Sequence, residues 1–282
     1  MTAGPGTLFV VATPIGNLGD ITARALDTLR ACERIVAEDT RRTRQLLSHF
    51  GIAGKKVDRL DAHASPRDVA RVAGLLAGGE SVAVVTDAGT PGVSDPGEAL
   101  VEAAIAAGAR VVPIPGPSAV LAALVASGLA GDGRFRFVGF LPREGSERRE
   151  AIALVCATPE PVVVLEAANR VEKTMRELAE ATPERPACVA RELTKLHEEL
   201  VRGTCAALAA SGRGWIGEVV LVLGAHSPDA REALVSEADL DARIDEALAR
   251  GDHAKGVAER LAAWSGRSKR EIYERVVARK RR

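Results

Sequence analysis

The chain of 282 residues is 46% hydrophobic and 27% charged, which is enough to bury two cores and predicts two domains with a small appendage. Its 38 Lys and Arg residues balance 38 Asp and Glu residues, so overall charge gives no general attraction to nucleic acid or anionic membranes, and a polyanion must bind a local patch. Aromatic residues make up only 3%, which disfavours a protein that stacks many bases on aromatic side chains.

The first half alternates short apolar runs with helical patterns, which predicts an α/β sheet with crossover helices. Strands are expected over residues 7–12, 35–37, 81–86 and 110–114. Asp20 is expected to cap a helix that runs to Ala31, and a small-residue helix is expected over residues 119–127. Ser-Pro-Arg-Asp at residues 65–68 and Asp-Pro-Gly-Glu at residues 95–98 are two further helix start signals.

The second half continues the alternation after a glycine-rich segment at residues 128–133. Strands are expected over residues 135–140, 162–166, 187–192 and 218–223, with a helix over residues 169–181. We therefore predict an α/β domain over residues 1–120, a second α/β domain over residues 121–226 and a helical module over residues 227–282.

The helical module has a strongly polarised charge. Residues 229–246 carry seven acids and two bases, whereas residues 267–282 carry eight bases and two acids. Helices are expected over residues 234–250, 255–264 and 269–279. The last two, joined by a short turn, have the outline of a helix-turn-helix whose second helix is basic. A helical hairpin with solvated charges is the alternative.

Three turns follow predicted strands, at residues 13–17, 87–95 and 115–119. In an open α/β sheet, ligands bind outside the carboxyl ends of the strands, which is where these turns are expected to lie. Ordinary turn chemistry is the alternative for each. The chain has no Walker A sequence and no G-x-G-x-x-G after the first strand, so a ligand held there is not expected to be anchored through a polyphosphate.

These turns belong to a set of segments that resembles one family. The segments are TPIGNLGDI at residues 13–21, EDTR at 38–41, DAGTPGVSDPG at 87–97, PGPSA at 115–119, FVGFLP at 137–142, EAANR at 166–170 and RELTK at 191–195. In this order, over about residues 6 to 224, they resemble the ribosomal RNA small-subunit methyltransferase I branch of the tetrapyrrole methylase superfamily. The basic helical tail also resembles the extra C-terminal module of this branch.

The resemblance implies two α/β domains with an S-adenosylmethionine cleft between them, in a homodimer. It implies 2′-O-methylation of a cytidine ribose in the decoding region of 16S ribosomal RNA, as naked RNA or in the assembled small subunit. Carried over residue by residue, the predicted cofactor-binding residues are Pro14, Ile15, Asp87, Ala88, Gly89, Thr90, Pro91, Gly92, Val93, Ser94, Ser118, Ala119, Glu166, Ala167 and Ala168. For Asp87 an Asx turn is an equal alternative, and Gly89, Gly92 and Gly116 would let the backbone approach the ligand.

Methyl transfer to a hydroxyl is an in-line displacement, so positioning supplies most of the catalysis and a base need only help remove the hydroxyl proton. The candidates for that base are Glu38, Asp39, Glu192, His197 and Glu198. We name Asp39, Arg41 and Glu192 as the predicted catalytic residues, with Arg41 orienting the acids or a phosphate. A surface ion pair is the alternative for Arg41, and a solvated charged face is the alternative for His197.

Local clusters of bases are expected to neutralise RNA phosphates without any overall positive charge. The predicted RNA-binding residues are Arg41, Arg42, Arg44, Arg143, Arg148, Arg149, Lys269 and Arg270. A splayed cytidine is expected, and Phe140 is the aromatic side chain available to stack on it, with a place in the core as the alternative.

Two other functions use the same features. A small-molecule methylase of the corrin type would share the scaffold, and a non-catalytic RNA-binding factor would share the basic tail. The four widely spaced cysteines, Cys32, Cys156, Cys188 and Cys205, suggest neither a zinc site nor a disulfide framework. With no secretory signal or long apolar stretch, we expect a cytoplasmic protein without metal or membrane partner.

Overall fold

The first domain is a five-stranded parallel sheet in a computed structural model that describes residues 4–61, 64–94, 97–225, 237–265 and 268–280. The strand order is β3-β2-β4-β1-β5. The strands are β1 (Thr7–Val11), β2 (Arg34–Ala37), β3 (Lys56–Arg59), β4 (Val82–Val85) and β5 (Arg110–Ile114). The helices are α1 (Ala23–Ala31), α2 (Thr40–His49), α3 (Pro66–Ala77) and α4 (Glu98–Ala106).

Helices cover both faces of this sheet, as a parallel sheet requires. Neighbouring strand residues point to opposite faces, so Ile35 packs with α1 and α2 while Val36 packs with α3 and α4. All four residues of β4 are buried because this strand lies at the centre of the sheet. The predicted strands of this domain are confirmed, and the Ser65–Asp68 capping box starts α3 as predicted.

Helix α1 begins two residues later than predicted. Asp20 lies in a 3₁₀ turn, Leu18–Asp20, that is capped by Asn17. The α1 cap is Thr22, whose hydroxyl accepts a hydrogen bond from the Ala25 amide at 3.1 Å. The prediction that Asp20 caps α1 is therefore wrong. Asp20 belongs to the preceding 3₁₀ turn, so the next residue with a capping side chain, Thr22, starts the helix. The start signal at residues 95–98 falls partly outside the described residues, and Gly97 precedes α4.

The second domain is a mixed sheet with strand order β6-β7-β10-β8-β9. The strands are β6 (Arg136–Phe140), β7 (Val162–Ala167), β8 (Pro186–Arg191), β9 (Glu199–Thr204) and β10 (Glu218–Leu223). The helices are α5 (Ala119–Ser127), α6 (Gly145–Ala157), α7 (Val171–Ala181) and α8 (Cys205–Ala209). Strand β6 is parallel to β7, and the other pairs are antiparallel. Helix α5 packs on this second sheet, so residues 115–118 connect the last strand of the first sheet to a helix of the second domain.

The C-terminal helices are α9 (Glu237–Ala249), α10 (Ala254–Ser265) and α11 (Lys269–Lys280). They share a separate apolar core that includes Leu240, Ile244 and Ile272. The predicted helix start at residue 234 and the turn at residues 266–267 lie outside the described residues. No helix in the described part of the chain is long and apolar enough to cross a membrane.

Bases of α11 bind acids within the same module. Arg275 donates to Asp241 at 2.6 Å, and Arg279 pairs with Asp241 at 2.7 Å and donates to Asp245 at 2.8 Å. The acidic and basic segments therefore neutralise part of each other's charge. Lys269 pairs with Glu259 at 2.8 Å, also within the module.

This pairing predicts an acid-sensitive module. Hydrogen bonds from Arg275 and then Arg279 lower the pKa of Asp241 from 3.8 to about 2. A depressed folded-state pKa stabilises the fold above the unfolded value and loses that contribution as pH falls through the folded value. We expect the Asp241 contribution to be full above pH 5 and to disappear between about pH 4 and pH 2.

The measurement is amide hydrogen exchange at pH 6 and at pH 2.5, which reports the cooperative unfolding of the C-terminal helices. Asp241→Asn should lower protection of Ile272 and Val276 at pH 6 and make less difference at pH 2.5. Equal effects of the substitution at both pH values would contradict the assignment.

Candidate active site

Two adjoining clefts open where the carboxyl ends of β1 and β4 meet the second domain. The first, which we call the interdomain cleft, has a volume of about 300 Å³. The second, which we call the adjoining cleft, has a volume of about 430 Å³. Both are lined by Ile15, Ala88 and Glu218. Groups bound in the two clefts would therefore lie next to each other, beside these three shared residues.

The wall of the interdomain cleft is largely apolar and is supplied by both domains. The lining residues are Ile15, Ala88, Gly89, Thr90, Val93, Ser94, Ser118, Ala119, Val120, Phe140, Leu165, Glu166, Ala167, Leu193, Gly217, Glu218, Val219 and Val220. No Lys, Arg or His side chain is among them within the described residues. Such a cleft suits a ligand with a flat apolar part and, because its only charged residues are acidic, a positive centre.

Most of the predicted cofactor residues come together in the interdomain cleft. Pro14 and Asp87 line the adjoining cleft instead. Pro91 and Gly92 line a separate depression beside α4, and Ala168 starts a 3₁₀ turn after β7. The role of each residue in cofactor binding stays a prediction.

Two backbone hydrogen bonds tie the turn after β1 to the turn after β4. The Thr13 amide donates to the Gly89 carbonyl at 2.8 Å, and the Gly89 amide donates to the Thr13 carbonyl at 3.0 Å. The Gly89 backbone therefore has its polar groups occupied, and its value to the cleft is the missing side chain at a φ of +82°. Thr90 donates to the Pro117 carbonyl at 3.2 Å and joins the third turn to the other two.

Glu166 contributes to the interdomain cleft without offering its carboxylate. That carboxylate is buried, pairs with Arg170 at 2.6 Å and with Arg148 at 3.8 Å, and accepts a hydrogen bond from the Thr174 hydroxyl at 2.7 Å. It also accepts from the Ala167 amide at 2.8 Å. The Glu166 side chain thus fixes the end of β7, where the backbone borders the cleft.

The adjoining cleft is more polar and includes cationic side chains. Besides the shared residues, its lining comprises Thr13, Pro14, Gly16, Leu18, Arg42, Thr43, Gln45, Leu46, His49, Thr86, Asp87 and Lys195. The Asp87 carboxylate accepts from the Asp39 amide at 3.0 Å and pairs with Arg42 at 3.3 Å. Asp87 therefore joins the loops after β2 and β4 by long-range contacts, which differ from the local contact of an Asx turn.

Lys195 reaches from the second domain into the adjoining cleft. Its ammonium group lies 2.9 Å from the Glu192 carboxylate and 3.1 Å from the Glu218 carboxylate. Partial burial acts to lower the pKa of Lys195, but the hydrogen bonds to Glu192 and Glu218 outweigh it and raise that pKa. Lys195 is therefore a cation at neutral pH.

Two glycines leave the room that this ion-pair cluster occupies. A Cβ atom at Gly16 would lie 2.5 Å from Cγ of Lys195, and a Cβ atom at Gly217 would overlap the Glu192 carboxyl group. The Glu218 amide donates to the same Glu192 carboxylate at 2.9 Å. This backbone hydrogen bond and Lys195 lower the pKa of Glu192, which is therefore ionised.

Backbone strain is concentrated beside the clefts. In the described part of the chain, the non-glycine residues with positive φ are Ser94 at 61°, Glu192 at 51° and Thr194 at 68°. The Thr194 hydroxyl oxygen is also buried without a hydrogen-bond partner among those residues. Strained backbone and an unsatisfied buried hydroxyl are typical of functional sites, because such sites keep unfavourable conformations that position functional groups at a cost in stability.

None of the three predicted catalytic residues is among the described residues that line either cleft. Asp39 caps α2 and accepts hydrogen bonds from the Arg41 side chain at 2.8 and 3.2 Å, which hold the pKa of the Asp39 carboxyl well below its usual range. Glu192 is occupied by Lys195 and the Glu218 amide. Their catalytic roles stay predictions, with the geometry favouring support rather than direct contact.

The other base candidates have separate places. Glu38 accepts a hydrogen bond from the Asp87 amide at 3.3 Å, and Glu198 accepts one from the Thr194 amide at 2.6 Å. His197 is exposed on the loop after β8. Lys195 and Glu218 went unpredicted, although RELTK at residues 191–195 and Gly-Glu at the start of β10 are visible in the sequence.

The predicted RNA-binding arginines divide into exposed and buried side chains. Arg41, Arg42 and Arg44 are exposed on α2, and Arg143 and Arg149 are exposed around the start of α6. Arg148 is buried, donates to Glu177, Thr174 and the Pro142 carbonyl, and is not available to RNA. The prediction for Arg148 is therefore wrong. Successive helix residues point in different directions, so Arg148 faces the interior while its neighbour Arg149 faces solvent.

Phe140, Lys269 and Arg270 have exposed side chains. Phe140 lines the interdomain cleft with 58% of its surface exposed, so it is not a core residue. Arg270 pairs with Glu274 at 3.1 Å on the surface of α11. Exposed pairs of this kind are weak, so a polyanion can compete for such a base.

Comparison with known proteins places these clefts in a family context. The family model for tetrapyrrole (corrin/porphyrin) methylases matches residues 7–209. Ribosomal RNA small subunit methyltransferase I of Xylella fastidiosa strain Temecula1 is 48% identical over 232 residues, which cover 80% of this chain and 84% of that protein. The protein of the same name from Neisseria meningitidis serogroup A is 43% identical over 95% of this chain and 92% of its own.

This chain belongs to the tetrapyrrole methylase family, in its ribosomal RNA small subunit methyltransferase I branch. Two solved structures share the fold at low identity. Uroporphyrin-III C-methyltransferase from Thermus thermophilus has a TM-score of 0.56 and 22% identity over 78% of this chain and 94% of its own. Diphthine synthase has a TM-score of 0.60 and 17% identity over 78% of this chain and 92% of its own.

Tetrapyrrole methylases use S-adenosylmethionine, and the chemistry of the interdomain cleft fits this donor. The donor presents an adenine, a ribose, an amino acid end and a sulfonium cation. The cleft offers an apolar wall, the oxygens of three turns and a carboxylate at Glu218, without a repelling cation among its described lining residues. The residues that would hold the donor are those of the interdomain cleft, and the donor would supply an electrophilic methyl group.

Proposed function

We propose that this chain transfers a methyl group from S-adenosylmethionine to the ribose 2′-hydroxyl of a cytidine in the decoding region of small-subunit ribosomal RNA. Relatives that are 48% and 43% identical are named ribosomal RNA small subunit methyltransferase I, which supports ribosomal RNA as the methyl acceptor. The observation that carries the proposal is the pair of clefts. One suits the donor, and the other, across the wall formed by Ile15, Ala88 and Glu218, suits a polar acceptor.

The adjoining cleft has the chemistry that a nucleotide needs. Arg42 and Lys195 are its cationic lining residues, paired there with Asp87 and Glu218, and the exposed Arg41 and Arg44 on the same helix as Arg42 extend the positive charge beside the cleft. Such clusters bind phosphates by releasing counterions, even in a protein without net charge. A target nucleotide must leave its stack to bring the ribose into a cleft, and Phe140 borders the donor site with an exposed ring.

A homodimer is part of the same proposal. Helix α5 is apolar on all sides, and Leu121 and Val125, one turn apart, expose 52% and 72% of their surface. An apolar face of this kind is typical of a subunit contact. The C-terminal module is proposed to add exposed bases, among them Lys269 and Arg270, to the RNA-binding surface.

The test is methylation of small ribosomal subunits from a strain that lacks this activity. Purified protein is incubated with labelled S-adenosylmethionine and either subunits or naked 16S RNA, and the labelled nucleotide is mapped. We expect label on the ribose of one cytidine in the decoding region. Label on a base, or on another region of the RNA, would contradict the proposed specificity.

Two other outcomes correspond to the other functions that share these features. Donor binding by calorimetry without RNA methylation, but with methylation of a tetrapyrrole, would identify a small-molecule methylase. RNA binding without donor binding would identify a non-catalytic factor. Sedimentation of the same preparation tests the homodimer, for which a monomer at micromolar concentration is the contradicting result.

A further inference from the structure

Glu218 holds a distinctive position between the two clefts. Among the described residues, Ile15, Ala88 and Glu218 line both, and Glu218 alone of these carries a side chain that can accept a proton. We propose that Glu218 is the catalytic residue that accepts a hydrogen bond, and then the proton, from the acceptor hydroxyl. The inference rests on the proposed function, because it takes the adjoining cleft as the place of that hydroxyl.

The surroundings of Glu218 leave one carboxylate oxygen available. Oε2 lies 3.1 Å from the Lys195 ammonium group, whereas Oε1 has no partner among the described residues. The side chain is 72% exposed, so it can turn toward a ligand while its backbone stays fixed by the amide hydrogen bond to Glu192. Glu218 therefore combines a fixed position with a free acceptor atom.

Other acidic groups near the clefts are occupied. Asp87 lines only the adjoining cleft, where it binds the Asp39 amide and Arg42. Glu166 lines only the interdomain cleft and is enclosed by Arg148, Arg170 and Thr174. Neither carboxylate combines contact with both clefts and a free oxygen, so the geometry favours Glu218.

The reaction needs such a proton acceptor. The acceptor oxygen forms a bond to the methyl carbon, the carbon–sulfur bond breaks with its electron pair left on sulfur, and the hydroxyl proton must leave. A carboxylate hydrogen-bonded to the hydroxyl orients an oxygen lone pair toward the methyl group and takes the proton as the new bond forms. The proton then passes to solvent, to which Glu218 is exposed.

Lys195 is a positioning residue in this arrangement. Its ammonium group bridges Glu218 and Glu192, while its stem crosses Gly16, where a side chain would clash. The strained backbone at Glu192 and Thr194 directs the following lysine into the cleft. The strain beside the cleft thus has a use, which is to hold Glu218 at the junction.

The experiment compares Glu218→Gln with the matched control Glu172→Gln, which alters an exposed glutamate on α7. Glutamine keeps an oxygen to accept from Lys195 but cannot take up the proton. We expect single-turnover methylation of small subunits to slow about a hundredfold or more in Glu218→Gln, within the range for general base catalysis. Rates are compared at saturating S-adenosylmethionine, because Glu218 also lines the donor cleft and its loss can weaken donor binding. The Kd for subunits should stay within threefold of the wild-type value, and Glu172→Gln should match wild type throughout.

A Glu218→Gln variant that methylates within threefold of the wild-type rate would overturn the inference, as would a rate loss that saturating donor restores. If Glu218→Gln binds the donor too weakly to be saturated, Glu218→Asp decides, because it keeps a carboxylate. Partial activity of Glu218→Asp with normal donor binding supports the inference. Activity of Glu218→Asp no higher than that of Glu218→Ala overturns it. Wild-type protein that leaves subunits unmethylated contradicts the proposed function itself, which separates the two failures.

A double-mutant cycle tests the positioning role of Lys195. If Lys195 acts through Glu218, Lys195→Gln should slow single-turnover methylation in wild type but have little further effect in Glu218→Gln. Additive rate losses would show that Lys195 acts independently of Glu218.

Discussion

Replacing Arg185 with methionine is expected to lower the free energy of unfolding of the second domain by about 3 kcal/mol or more. Arg185 is 3% exposed and lies immediately before β8. It donates to four backbone carbonyls, those of Val155 and Gly224 at 2.8 Å, Glu160 at 3.0 Å and Thr158 at 3.1 Å. Removing it leaves buried acceptors that methionine cannot satisfy.

Among the described residues, Arg185 has no acidic partner to compensate for burial. The nearby thiols are neutral, because burial raises the pKa of Cys156 and raises the pKa of Cys205 to about 11. Burial likewise lowers the pKa of Arg185, although the group stays a cation at neutral pH. The carbonyl groups are therefore what stabilises this charge. Three of them belong to the end of α6 and the loop that follows it, and the fourth follows β10, so Arg185 joins both segments to β8.

The measurement is the free energy of unfolding of Arg185→Met, obtained by chemical denaturation that is monitored by far-UV circular dichroism. The matched control is Arg176→Met, which removes an exposed arginine paired with Glu172 on α7 and should cost less than about 0.5 kcal/mol. Arg185→Lys should recover only part of the loss, because an ammonium group has three donors for four carbonyls. A change below 1 kcal/mol in Arg185→Met would show that water satisfies these carbonyls.

The elements that were predicted from sequence are those whose signals are local. The capping box at residues 65–68 and the apolar helix α5 need only a few neighbouring residues to be recognised, and both are found where expected. Buried strands such as β4 stand out because both of their faces are covered and every residue is apolar. The turns after β1, β4 and β5 follow from the strand ends.

Elements with weaker local signals were not predicted. Strand β9 lies at the edge of the second sheet, where its mixture of acid, base and glycine is tolerated because one side faces solvent. Helix α2 carries the charged run of residues 38–44, which hides the apolar positions Leu46 and Leu47 that follow it. In both cases tertiary packing decides what local propensity leaves open.

The site is less predictable than the fold because it depends on distant pairings. Val219 pairs with Arg191 across β10 and β8, which brings Glu218 beside Glu192. Nothing in either short segment indicates this contact before the sheet order is known. Similarly, Arg148 and Arg149 are neighbours in the chain, yet one is enclosed by Glu166 and Glu177 while the other faces solvent.

Replacing Gly89 with valine is expected to weaken S-adenosylmethionine binding at least about tenfold. A Cβ atom at Gly89 would lie 3.4 Å from the Ile15 side chain, and the branched methyl groups of valine would occupy part of a cleft of about 300 Å³. The φ of +82° also disfavours a β-branched residue, at a cost of about 1–3 kcal/mol. Relief of that strain would break the paired hydrogen bonds between Gly89 and Thr13.

The measurement is donor Kd by calorimetry, with Gly54→Val as the matched control. Gly54 also has a positive φ, of +73°, but a Cβ atom there meets nothing within 4 Å and the residue lies away from both clefts. The two variants should therefore share the backbone strain, while only Gly89→Val loses donor affinity. The expected tenfold loss corresponds to about 1.4 kcal/mol of binding free energy. Equal donor affinity in both variants would mean that the donor does not use the interdomain cleft, because no ligand seated against Ile15 and Ala88 could avoid the valine.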